Sequence, residues 1–226
     1  MPNSEQDIVL AIFAHPDDEA LGCGGALARH SARGDRVYAI FMADGEGARA
    51  SADDESFAAR NQATDSAADQ LGIEQITRLN WPDNRLDAVP LLDLVQSIEP
   101  LIEEIQPTVV YTHFYGDLNV DHQLTAKAVM TAFRALPGSR IRKILAAEVL
   151  SSTEWGIGDA FQPNYWIDIS DYIEAKESAL RSYDAEMREY PHTRSYQNCR
   201  QLAGVRGAAV GVDYAEAFML MRQVDK

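Results

Sequence analysis

The sequence predicts an α/β fold, a mostly parallel sheet with helices on both faces. Three observations carry this. Strand-like and helix-like patterns alternate from the start, the order that builds parallel sheets through helical crossovers. The strand-like runs are apolar throughout, as in Ile8-Val9-Leu10-Ala11-Ile12-Phe13, which suits strands covered on both faces. No repeat, low-complexity stretch or linker interrupts the 226 residues, so a single domain over 1–226 is expected.

The elements follow in order. The first strand is 8–13, and Ala20 to Ala28 reads as the helix after it, ended by Arg33-Gly34-Asp35. Val37 to Met42 is the second strand. A polar loop runs from Ala43 to Glu55, and a helix from Ser56 to Leu71 is closed by Gly72. A third strand spans Ile73 to Leu79, followed by a loop over Trp81 to Pro90. The helix Leu91 to Ile105 carries an apolar stripe and is stopped by Pro107. Thr108 to His113 is the fourth strand, His122 to Ala135 a helix, and Ile141 to Val149 the fifth strand. A short strand at Tyr165 to Ile169 precedes a helix capped by Asp171 and reaching about Tyr183. Glu186 to Ser195 reads as irregular, Ser195 to Ala209 as a helix, and Ala217 to Val224 as a last strand. The whole reads as a Rossmann-like three-layer sandwich.

Composition narrows the function. The formal net charge is −15 and the pI about 4.6, which argues against nucleic acid as a partner. Two cysteines, Cys23 and Cys199, give no disulfide framework and no C-x-x-C pair. Cys23, set among glycines, reads as a small packing residue. The polar, acidic start at 1–7 lacks the features of a signal peptide. No apolar stretch nears the ~20 residues that span a bilayer. A cytoplasmic location is expected; a homo-oligomer is left open.

The chemistry starts at Ala14-His15-Pro16-Asp17-Asp18-Glu19. This run sits where the first strand hands over to the first helix, and in open α/β sheets ligands bind at that edge. Pro16 fixes the turn and biases His15 towards extended geometry. Neutral imidazole and carboxylate oxygen are zinc ligands, and catalytic zinc keeps three protein ligands and one open position. His15 and one aspartate supply two ligands, and the other aspartate stays beside the metal, free to take a proton. Two acidic residues at a helix start would also serve as simple caps. Asp117-Leu118-Asn119-Val120-Asp121-His122 lies at the equivalent place after the fourth strand. Parallel strands bring their carboxyl ends to one edge, so His122 can join His15 and Asp18. The result is a two-His, one-carboxylate set with an open position, suited to Zn2+ and also to Fe2+.

Other residues are weighed against plainer roles. His30 suits a helix carboxyl end, and His113 ends a strand near the site in a packing or a site role. His192 lies in an irregular segment, of the kind that often carries function. The loop holding Asp44 and Glu46 follows the second strand and should rim the same edge. Arg60, Asp83 and Arg85 are candidate substrate contacts or ordinary surface ion pairs. Trp81, Tyr115 and Trp155 could offer a ligand a stacking face.

The run at 14–19, with Asn119-Val120-Asp121-His122, resembles the PIG-L/LmbE family of zinc-dependent N-acetyl-sugar deacetylases. The resemblance extends over Arg60, Trp81-Pro82-Asp83-Asn84-Arg85, Pro191-His192-Thr193-Arg194-Ser195, Arg206-Gly207 and Tyr214-Ala215-Glu216-Ala217-Phe218. The later segments are similar to the bacterial branch that acts on surface polysaccharides and other glycoconjugates. It implies a small-molecule N-acetyl sugar or glycoconjugate as substrate. It implies His15, Asp18 and His122 as zinc ligands and Asp17 as general base, with Arg60 reaching a sugar hydroxyl or phosphate. Several members carry an oxyanion-stabilising histidine where this chain has Asn119. An amide can donate a hydrogen bond there but cannot deliver a proton, so the general acid falls to Asp17 or His192.

Three other readings compete. The same ligands would serve a zinc amidase acting on a thiol conjugate or another N-acyl substrate. A dinucleotide-binding module is suggested by Gly22, Gly24 and Gly25 after a strand and Asp44 after the next. The glycines do not complete G-x-G-x-x-G, however, and carboxylates at the turn would repel a pyrophosphate. A non-catalytic metal-binding scaffold is the third, and the spare aspartate argues against it.

Overall fold

A computed structural model describes residues 6–225. Residues 1–5, part of the start read above as lacking a signal peptide, lie outside the described residues. Five strands alternate with four helices in the first two-thirds of the chain. They are β1 (Ile8–Phe13), α1 (Asp18–Ala32), β2 (Arg36–Ala43), α2 (Asp54–Leu71), β3 (Gln75–Trp81), α3 (Leu91–Ile105), β4 (Val109–His113), α4 (Val120–Ala132) and β5 (Lys143–Ala147). Then come β6 (Tyr165–Asp168), α5 (Ile173–Ser182), α6 (Tyr196–Ala208) and β7 (Ala215–Gln223). They build one sheet in the order β3-β2-β1-β4-β5-β7-β6. The first five strands are parallel, and β7 runs antiparallel to both β5 and β6.

The sheet separates two apolar layers. Along β1, Val9, Ala11 and Phe13 face α1, α2 and α5, whereas Leu10 and Ile12 face α3 and α4. The period of two across a strand makes this division, and with both faces covered no position along β1 is left for polar side chains. The order places β2 on one side of β1 and β4 on the other. The chain therefore leaves β1 and β4 in opposite senses, and a crevice opens between their carboxyl ends. Both motifs of the sequence sit at this crevice.

Element boundaries shift where neighbours add hydrogen bonds. β3 begins two residues later than expected and runs on to Trp81, whose ring nitrogen donates to Ser97 Oγ at 3.2 Å on α3. Trp81 therefore packs under α3 and offers no stacking face to a sugar. The antiparallel β7 was not legible, because alternation of elements signals a crossover but not the direction of the last strand. Among the described residues no helix is long and apolar enough to cross a membrane.

Helix α1 is two helices spliced at Cys23, whose φ of −147° leaves the helical region. The break frees backbone groups inside the core. Glu216 on β7 accepts from Gly25 N at 3.0 Å and Ala26 N at 2.7 Å. Lys176 on α5 donates to Leu21 O at 2.7 Å and pairs with Glu216 at 2.6 Å. All of these groups are buried. Gly25 is required here, since a Cβ would stand 2.7 Å from Ile169 Cδ1. The glycines thus serve packing, and a carboxylate already takes the amides that a dinucleotide reading would give to a pyrophosphate.

Removing one partner of a buried pair leaves an uncompensated charge. Glu216→Ala is expected to lower the unfolding free energy by about 3–5 kcal/mol, read from urea titration. Adding Lys176→Met should recover part of the loss. An unchanged urea midpoint in the single variant would show that the splice is held otherwise.

Candidate metal centre and cleft

His15 lies just after β1 and His122 is the third residue of α4, and their ring centroids lie 5.4 Å apart. Between them stands Asp18, the first residue of α1. Its Oδ2 is 3.3 Å from His15 Nδ1 and 3.3 Å from His122 Nε2. The three ligand atoms lie within 4.8 Å of one another, and all three residues are buried.

The far side of each imidazole is also occupied. His122 Nδ1 faces Asp117 Oδ1 at 3.2 Å, and His15 Nε2 faces Asp83 Oδ1 at 3.2 Å and Asp121 Oδ2 at 3.3 Å. A carboxylate behind an imidazole fixes the N–H on that side and leaves the other nitrogen bare. The inner nitrogens and the Asp18 carboxylate oxygen converge on one point, which draws positive charge, protons or a cation. Burial alone would depress the His122 pKa, but Asp18 and Asp117 more than reverse this and raise it to about 9. His15 is likewise raised, its burial outweighed by Asp121, Asp18 and Asp83. The residues therefore fit a divalent ion. A second grouping, His15, Asp83 and Asp121, also meets the distance condition. There Asp83 is tied to Ala48 N at 3.1 Å and Asp121 to Leu86 N at 3.0 Å, so both also brace loops.

His113 is not a ligand. Its Nε2 accepts from Ala14 N at 2.8 Å, and its ring stacks on His122 with centroids 3.8 Å apart. Burial, and then the neighbouring His122, hold it well below the usual imidazole range. It acts as a neutral wedge behind His122.

Asp17 is held in a left-handed backbone conformation, φ 116°, which costs a non-glycine residue about 1–3 kcal/mol. Glu19 sustains it: one carboxylate oxygen accepts from Asp17 N at 3.0 Å and the other from Tyr183 OH at 2.9 Å. Asp17 Oδ2 accepts from Arg194 Nη1 at 2.9 Å, with Arg60 Nη1 at 3.6 Å. Its Oδ1 has no hydrogen bond among the described residues. Burial lifts the Asp17 pKa, the Arg194 charge pulls it back, and it settles at about 6.

These groups form the floor of a cleft of about 390 Å³. Asn119 lines it. Its Oδ1 accepts from Asp121 N at 2.8 Å and caps α4, which turns its amide nitrogen towards Asn84 Oδ1 at 3.3 Å and the cleft. Other expected residues take different places. Arg60 is on the wall, but its guanidinium is spent on Glu46 Oε1 at 2.9 Å, Pro16 O at 3.1 Å and Glu186. It braces the turn at 16–17 from the cleft wall. Glu46 is buried as its partner. Asp44 folds its own loop, accepting from Glu46 N at 2.7 Å and Gly47 N at 2.6 Å. Asp83 lines the cleft from behind His15, and Arg85 is exposed outside the lining. His192 is exposed at the rim. Its Nδ1 accepts from Arg194 N at 3.0 Å, and its ring lies edge-on to Trp155 at 6.0 Å.

Several functional residues were missed. Arg194 reaches the floor instead of its neighbour His192. The signal was an arginine in the irregular segment, since planar guanidinium matches a buried carboxylate. Asp117 and Asp121 flank Asn119 in a quoted motif, and second carboxylates near a ligand histidine commonly orient it. Glu186 and Arg49 close the wall by a 2.6 Å ion pair, which no local pattern announces.

A family profile described as "PIG-L: GlcNAc-PI de-N-acetylase" matches residues 10–133. The chain is 31% identical to the uncharacterized deacetylase YaiS of Escherichia coli over 181 residues, 77% of this chain and 89% of that protein. It is 25% identical to diacetylchitobiose deacetylase of Thermococcus kodakarensis over 95% of this chain and 83% of that one. The structure of the conserved protein TT1542 of Thermus thermophilus superposes with a TM-score of 0.77 at 26% identity, covering 98% and 97% of the two chains.

Asp117 accepts from Thr153 Oγ1 at 2.6 Å, from Ser152 Oγ and from Asn119 N at 2.9 Å, which locks it behind His122. Asp117→Ala should weaken zinc affinity about 10–100-fold in a competition titration with a chromophoric chelator, with the far-ultraviolet spectrum retained. Equal affinity would remove Asp117 from the orientation of His122.

Proposed function

The chain belongs to the PIG-L family of de-N-acetylases, and on that footing we propose that it is a zinc hydrolase that removes the acetyl group from an N-acetylated amino sugar in a glycoconjugate. The observation that carries the reading is the meeting of His15, Asp18 and His122 around one point with Asp17 alongside. In this reading His15, Asp18 and His122 would hold the ion, which when bound would supply a Lewis acid for the acetamide carbonyl and a water made nucleophilic near neutral pH.

The chain's own residues do the rest. Arg194 keeps Asp17 Oδ2 occupied, so Oδ1 faces the cleft and takes the proton as water attacks. The Asn119 amide nitrogen, fixed by the cap at its other end, donates to the developing oxyanion. Asp17 then returns its proton to the leaving nitrogen, and the C–N bond breaks to give acetate and a free amine. That assigns the acid to Asp17. In this reading His192, exposed and edge-on to Trp155, takes no proton. The buried floor excludes bulk water from the ligands, which strengthens each of these interactions.

The test is acetate release from N-acetylglucosamine conjugates, assayed with metal content. Wild-type enzyme should carry one zinc per chain, lose activity to a chelator and regain it with zinc. Asp17→Asn should keep the zinc and lose about 10²–10⁴-fold in kcat. His15→Ala and His122→Ala should lose both zinc and activity. Full activity in Asp17→Asn would remove Asp17 as base, and stoichiometric zinc in His122→Ala would remove that ligand.

A further inference from the structure

We propose, building on the deacetylase reading above, that the cleft selects an uncharged amino sugar carrying an apolar aglycone, and that the aglycone lies on a rim formed by Tyr115, Leu118, Val120, Trp155 and Ile157.

The rim is an unusual surface. Tyr115, Leu118, Val120, Trp155 and Ile157 are exposed by 44%, 47%, 37%, 46% and 97%. Single exposed apolar side chains need no explanation, but a cluster bordering a polar cleft marks a binding surface. This cluster is continuous with the cleft, because Leu118 and Trp155 also line it. It comes from the loop before α4 with the first residue of that helix, and from the loop after β5.

Those loops are fastened together. Leu118 N donates to Ser152 O at 3.4 Å, and a Cβ on Gly156 would stand 2.5 Å from Gly116 O. Glu154, the charged residue beside Trp155, turns its carboxylate onto the backbone of Ser151 at 2.8 Å and Ser152 at 3.2 Å. Trp155 is braced from behind by the His192 ring at 6.0 Å. The apolar side chains are thus presented on a fixed backbone, and a ligand on them need not order the loops first.

The charges of the cleft point the same way. Its wall holds Arg49, Arg60 and Arg194, and each is already paired. Arg49 meets Glu186 at 2.6 Å, Arg60 meets Glu46 at 2.8 Å, and Arg194 meets Asp17 at 2.9 Å. An aglycone bearing a carboxylate or phosphate would need a cation without a partner, and the cleft lining among the described residues offers none. A neutral sugar with an alkyl or aryl substituent asks for no such group. It gains instead from moving apolar surface out of water.

The experiment compares acetate release from methyl, octyl and carboxymethyl N-acetylglucosaminides, each below its micelle concentration. The octyl glycoside should exceed the methyl glycoside in kcat/KM by about ten-fold or more, and the carboxymethyl glycoside should not exceed it. Trp155→Ala combined with Ile157→Ser should bring the octyl-to-methyl ratio close to one. Equal values across the three substrates, or a preference for the carboxymethyl glycoside, would overturn the aglycone assignment while leaving the deacetylase reading intact. Acetate from none of them would instead count against that reading. Calorimetric binding to Asp17→Asn then decides the rim alone: tighter octyl than methyl binding supports it, and equal or absent binding overturns it. An oligomer that Ile157→Asp dissociates, with no octyl preference in the wild type, would assign the rim to a second copy of the chain and overturn the proposal.

Discussion

The structure depends on one carboxylate oxygen. Asp18 Oδ2 stands 3.3 Å from an imidazole nitrogen on each side, and it also accepts from His15 N at 2.9 Å. It ties the tip of β1 to the tip of β4. Two bare nitrogens and an anion held so closely are stable only when positive charge joins them, whether protons or a metal ion. The surrounding carboxylates, Asp117 behind one ring and Asp83 with Asp121 behind the other, orient the two rings so that their inner nitrogens face that charge.

The fold is arranged to bring these tips together and to bear the cost. The crevice exists because β2 and β4 lie on opposite sides of β1. The strained turn at Asp17 persists because Glu19, buried in the core, holds its amide. The first half of α1, which carries Asp18, is broken from the second at Cys23, and the Lys176–Glu216 pair bonds to both sides of the break. Strain at a site is held in place by its surroundings. Here the holding groups come from α1, α5 and β7, far apart in the chain.

Much of this could be read from the residues. Continuous apolar runs located the parallel strands, and the two motifs at strand ends located His15, Asp18 and His122, since topology alone brings such ends to one edge. The support around them was not legible. Arg60 looked like a substrate contact because the sequence shows a charge without its partners, and those partners, Glu46 and Glu186, lie 14 positions before and 126 positions after it. Arg194 and His192 could not be told apart as the residue that enters the cleft, because an irregular segment carries no period to say which side chains face inward. Trp81 and Trp155 were equal as stacking candidates until strand β3 proved long enough to pack one of them against α3.

The division of labour in the cleft follows from what each charge already touches. Asp17 keeps one oxygen free, Asn119 keeps one amide N–H beyond its bond to Asn84, and the arginines are committed to carboxylates. In the proposed reaction the first two carry the chemistry and the third sets the shape of the cleft. X-ray absorption at the zinc edge of the loaded protein tests the centre most directly. Two imidazole nitrogens and a carboxylate oxygen at about 2.0–2.1 Å are predicted. A shell with a single imidazole among carboxylates would place the ion on His15, Asp83 and Asp121 and contradict the account.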